Sequence, residues 1–188
     1  MAFKYYRLLL LLPLLGMKKC EREPSPIFTL PPVTQEGANT LGFVVDGRVW
    51  RNYGWLPYTS GESDNLRALY SSRSSTNFTL YAGQISRDVY ENFSLSMDSL
   101  AGVGTYQLTR KLVHGANRRV IQGLTFSRPE TSESYGYPAA GSPATITITR
   151  LDTAQHIIAG TFTGTLKSLA DTTKAVRITE GRFDVKYE

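Results

Sequence analysis

The chain has 188 residues, 41% of them hydrophobic, a single cysteine and a formal net charge of +5. That length suits one ordinary domain and leaves too little for two once a leader and tether are set apart. The first nineteen residues hold four of the 21 basic residues and none of the 16 acids, so the remainder is close to neutral and lacks the basic stripe of a nucleic-acid binder.

Residues 1–19 read as a signal. Lys4 and Arg7 precede a leucine run from Leu8 to Leu15 broken only by Pro13, which is a basic start followed by a short apolar core. A membrane-spanning helix needs roughly 20 apolar residues, so this segment is expected to direct export. Cys20 follows at once, with Glu21-Arg22-Glu23-Pro24 behind it. A cysteine in that place marks a lipid anchor, and Cys20 is the expected site of attachment. Met17, Lys18 and Lys19 stand where such signals carry small residues, which leaves open a signal cut elsewhere or an uncleaved leader. With Cys20 outside the domain, no disulfide and no thiolate nucleophile or ligand is available within it.

Residues 20–39, with Pro24, Pro26, Pro31, Pro32 and Gly37, have too little apolar surface to order themselves and read as a flexible tether. From residue 40 to 188 the texture changes to short apolar stretches separated by Gly, Asn, Asp and Ser. That spacing predicts a single all-β domain, an antiparallel β-sandwich or a lipocalin-like barrel, with little or no helix outside the leader.

The first hairpin is expected from Leu41 to Trp50, turning on Asp46-Gly47, a dipeptide that tolerates positive φ. Further strands are predicted over Leu66–Ser71, Phe78–Ile85, Phe93–Met97, Thr105–Leu108 and Val120–Phe126. The best helical candidate, Ser86–Asn92, amounts to two turns at most. In Ala144–Leu151, Ile146 and Ile148 alternate with Thr145, Thr147 and Thr149, so one face is core and the other wet or lightly covered. In His156–Leu166 the set Ile158, Gly160, Phe162, Gly164 and Leu166 opposes Ala159, Thr161, Thr163 and Thr165, and the glycines mark a close backbone approach or a bend. In the last strand Val176 and Ile178 are even-numbered, whereas Phe183, Val185 and Tyr187 are odd-numbered. Both sets reach one core only if a residue is inserted between them, which predicts a bulge or kink at Glu180-Gly181.

No catalytic motif stands out. His114 and His156 sit beside turn-like residues, and no spacing forces either onto a nucleophile or carboxylate. The chain lacks a serine elbow, a paired-histidine metal helix and a phosphate loop, so no cofactor, metal ligand or catalytic residue is assigned. Glu62, Asp64, Asp88 and Glu91 are the acids available for a glycosidase pair, and residues 60–65 have the oxygen ligands but not the spacing of a calcium loop. The most suggestive feature is aromatic: Trp50, Tyr53, Trp55 and Tyr58 beside Arg51 and Asn52, with Tyr135 and Tyr137 in a second loop. These six are the candidate ligand-binding residues, since flat rings beside polar tips stack sugars or peptides. The competing reading makes them plugs at an open end of the sandwich.

Three stretches carry a family likeness: 34–43 (TQEGANTLGF) running into 45–50 (VDGRVW), 104–108 (GTYQL), and 178–185 (ITEGRFDV). With the Cys20 leader they resemble a family of uncharacterised Bacteroidota lipoproteins, over most of residues 34–188. The resemblance implies an envelope location and a β-sandwich or lipocalin-like barrel, and it carries over no activity; the expected place is the outer membrane or cell surface, with the periplasmic side left open. The expected role is a non-catalytic module that binds a ligand or partner, held to the membrane by its lipid, with a glycan or a protein as the partner class. A structural component of the envelope and a glycan or peptide hydrolase are the alternatives.

Overall fold

The computed structural model describes residues 26–54, 65–71, 77–108, 122–136 and 144–188. Eleven strands run through them: β1 Thr40–Val45, β2 Arg48–Arg51, β3 Leu66–Ser71, β4 Asn77–Ile85, β5 Tyr90–Met97, β6 Gly104–Leu108, β7 Gly123–Arg128, β8 Glu133–Gly136, β9 Ala144–Asp152, β10 Ile157–Lys167 and β11 Ala175–Lys186. They form two antiparallel sheets, in the orders β2-β1-β11-β10-β9-β6 and β3-β4-β5-β7-β8. The fold is a sandwich of two sheets and not a closed barrel. Isolated bridges from Tyr53 to Gln84 and from Tyr135 to Ser168 stitch the sheets together at two corners.

The β1–β2 hairpin turns on Asp46 and Gly47, with φ of 48° and 84°, the positive pair that a two-residue turn demands. Register then places Phe43 opposite Trp50, and their rings stack at 4.6 Å. Phe93, Phe126 and Phe162 close around Phe43, and Trp50 is fully buried. Burying each of these rings stabilises the fold by about 1.5–3 kcal/mol relative to exposure. The centre of the sandwich is therefore aromatic and contiguous.

The bulge expected at Glu180-Gly181 is present. Along β1 the pairing steps from Gly42↔Arg182 to Val44↔Thr179, so Phe43 alone opposes Glu180 and Gly181, and β10 shows the same slip. Glu180 adopts a φ of 53°, and burial changes from even to odd positions across it. Gly160 marks a close approach, because a Cβ there would lie 2.4 Å from the Thr147 carbonyl oxygen.

Two local expectations change. Ser86–Asn92 forms no helix: the Ser86 N–H donates to the Val89 carbonyl at 2.8 Å, making a tight turn that feeds β5. The only helical element among the described residues is a 3-10 turn, Pro129–Thr131. The strand expected over 120–126 lies at Gly123–Arg128, with residues 120 and 121 outside the described set.

Residues 26–39 have no regular structure, yet the segment is docked against the six-stranded sheet and covers part of its outer face. Pro31 is buried and lies over Gly42, and Phe28 packs edge-on against Tyr53 at 5.3 Å. What holds this strap is a carboxylate on β11.

Candidate functional site

Asp184 stands on the outward-facing side of β11, between core residues Phe183 and Val185, and is 1% exposed. The strap buries it. Thr34 Oγ1 donates to Oδ2 at 2.7 Å, the Gly37 N–H donates to Oδ1 at 2.7 Å, and the N–H groups of Glu36 and Ala38 donate to Oδ2 at 2.9 and 3.2 Å. Burial alone would raise the pKa of this carboxyl, but the hydrogen bonds from Thr34, Glu36, Gly37 and Ala38 outweigh it and hold it below the ordinary aspartate value. Arg150 donates to the Gln35 carbonyl, and Asn39 Oδ1 accepts the Lys186 N–H at 2.9 Å. Ala159 and Ile157, which lie on the same outer face, are thereby sealed from water.

A second buried carboxylate joins the two sheets at the Asp46-Gly47 end. Glu91, on β5, accepts from Arg48 Nη2 at 2.7 and 2.6 Å and from Arg128 Nε at 3.1 Å. Arg128 also reaches Glu133 at 3.2 Å and lies over the rings of Phe126 and Tyr135. Burial opposes the charge on Arg128, but the bonds to Glu91 and Glu133 outweigh that and raise its pKa. Both oxygens of Glu91 are thus taken by guanidinium donors, an arrangement suited to clamping the sheets.

The aromatic candidates separate. Trp50 lies wholly in the core, its indole Nε1 without a hydrogen-bond partner. Tyr135 is 5% exposed, packed beside Phe126, and Tyr53 is half-buried against Phe28. Trp50 and Tyr135 both belong to the hydrophobic core cluster. Trp55, Tyr58 and Tyr137 lie outside the described residues, as do Cys20, His114, Glu62 and Asp64. His156 is exposed on its turn and stacks on Tyr187 at 5.1 Å. Asp88 is exposed and pairs with Arg87.

The remaining polar surface of note is the other half of the same outer face. Pairing places Thr105 beside Thr147 and Gln107 beside Thr145, Thr145 beside Thr163 and Thr147 beside Thr161, and Thr165 beside Arg177. A shallow groove of about 350 Å³ crosses it, lined by Thr145, Thr163, Thr165, Arg177 and Thr179. Hydroxyls are bonded at the β6 margin: Thr105 with Thr147 at 3.0 Å, and Thr145 Oγ1 donating to Gln107 Oε1 at 3.0 Å. The Thr/Ile alternation had marked this as the wet face, although nothing in it distinguishes a bare surface from a site.

Among the described residues no three His, Cys, Asp or Glu side chains gather as metal ligands. No family model, curated protein or solved structure matches the chain.

Proposed function

We propose that this chain is an exported lipoprotein of a bacterial envelope whose β-sandwich holds a ligand or partner and performs no chemistry of its own. The leader, Cys20 and the resemblance to Bacteroidota lipoproteins support the location. The observation that carries the binding role is the uncovered half of the six-stranded sheet's outer face, where threonine hydroxyls and Arg177 line a groove. Hydroxyls both donate and accept, so such a face suits a polar ligand. Several carboxylates serve structural partners. Glu91 and Asp184 are committed to internal partners, and Asp152 and Asp171 are held below the ordinary range, Asp152 by Arg150 and neighbouring backbone N–H groups, Asp171 by Thr173.

A photo-crosslinking residue placed at Thr163 in the full chain, expressed in intact cells, tests this. Adducts are expected at Thr163 and not at Tyr81, an exposed residue on the other sheet. Equal labelling at both positions, or none at Thr163, would overturn the assignment of this face.

A further inference from the structure

Resting on the contact face just proposed, we infer that the groove is a subsite for an oxyanion carried by a polyhydroxylated ligand, a carboxylated or phosphorylated sugar. Three observations lead there.

The first is Arg177. Among the described arginines, Arg48, Arg67, Arg87, Arg128, Arg150 and Arg182 are each paired with a carboxylate; Arg51 and Arg177 have no ion pair with a described carboxylate, and of these two only Arg177 lines the groove. The Arg177 guanidinium makes no hydrogen bond or ion pair to any described residue. Its main chain, in contrast, is fixed on both sides: its N–H donates to Asp46 Oδ1 at 2.8 Å, and its carbonyl accepts the Asp46 N–H at 3.1 Å. The base of the side chain is held while its charged end remains available. One oxygen of Asp46 is already spent on the backbone.

The second is the lining. Thr145, Thr163, Thr165 and Thr179 supply hydroxyls at the spacing of adjacent strands, and no carboxylate of the described residues lines the groove. A fork of guanidinium donors flanked by hydroxyls matches the oxygens of a carboxylate or phosphate and the hydroxyls next to them.

The third is that no aromatic side chain of the described residues lines the groove. Sugar sites that take neutral glycans rely on ring stacking for much of their affinity. The described lining instead offers a guanidinium and hydroxyls, whose charge-assisted hydrogen bonds suit an anionic ligand. The volume lies at the small end of ligand sites, enough for a single sugar unit with its acidic group.

The test is calorimetric titration of the full-length chain, in nonionic detergent, with trigalacturonate, its methyl ester and inorganic phosphate. Trigalacturonate is expected to bind, and esterification or Arg177→Gln to weaken it about tenfold or more, the loss of one charge-assisted contact. Binding should also weaken as salt is raised. Displacement of trigalacturonate by phosphate would show that both oxyanions use one site, and phosphate binding without trigalacturonate binding would assign the site to phosphorylated ligands. Thr163→Val, which leaves the charge in place, is expected to weaken binding less than Arg177→Gln and serves as the second probe if the arginine variant misfolds. Equal affinity for acid and ester would overturn the oxyanion assignment and leave the contact face standing. Failure of both acid and phosphate to bind would also overturn it, and Thr163 cross-links would then decide the contact face separately.

Discussion

The outer face of the six-stranded sheet has two halves built from the same strands, β9, β10 and β11, and they have opposite fates. Around Asp184 the carboxylate is consumed internally, and the strap that consumes it also seals Ala159 and Ile157. Around Arg177 the hydroxyls and the guanidinium stay at the surface. The difference teaches that polarity alone does not mark a site on this molecule. The covered half has the more deeply buried charge, yet its hydrogen bonding is complete. The open half is the place where a ligand would add bonds without breaking any.

The comparison is broken most severely at Asp184. Replacement by alanine strands the strap N–H donors, and the expected cost is about 3 kcal/mol, a fall in melting temperature of roughly 6–12 °C for a chain of this size. A melting temperature unchanged from wild type would show that the strap contributes nothing to the fold. Asp184→Asn should cost less, about 1–2 kcal/mol, because one oxygen acceptor survives. It should also alter the pH dependence. The folded-state pKa of Asp184 is lowered, so its contribution is present above the unfolded value of about 3.9 and is lost as pH falls through the folded value. Melting curves taken between neutral and strongly acid pH should therefore drop on the acid side in the wild type, and less steeply in Asp184→Asn. Arg150→Ala removes the clamp on the Gln35 carbonyl and the pair with Asp152, for about 1 kcal/mol. Hydrogen exchange should localise that loss to residues 34–38. On the open half, Thr163→Val should change stability by no more than about 0.5 kcal/mol, read by chemical denaturation; a larger loss would mean that this face, too, is structurally committed.

Much of this architecture was legible in the order of residues. The Asp46-Gly47 turn, the Thr/Ile alternation of β9 and the bulge at Glu180-Gly181 follow from local rules, because side chains alternate strictly and a turn demands particular φ values. The aromatic cluster was legible as large rings, but its two roles were not separable. Whether Trp50 faces a ligand or a core depends on Phe93, Phe126 and Phe162, which come from three other strands. The role of Asp184 was hidden for a related reason. Alternation puts it on the outer face, where an aspartate is ordinarily hydrated, and the groups that bury it lie almost 150 positions earlier. The acid set between Phe183 and Val185 and the Thr34-Gln35-Glu36-Gly37-Ala38 run were the two halves of that signal.

By itself, then, the sequence determined the fold class, the first hairpin, the wet and dry faces of the last strands and the change of parity in β11. All of these are decided by neighbours within a few residues, through backbone sterics and alternation. Only the tertiary structure decided which rings plug the core, which carboxylates are spent, and which half of one polar face remains open. Those outcomes depend on groups far apart in the chain meeting at hydrogen-bond distance, and no local pattern records such meetings.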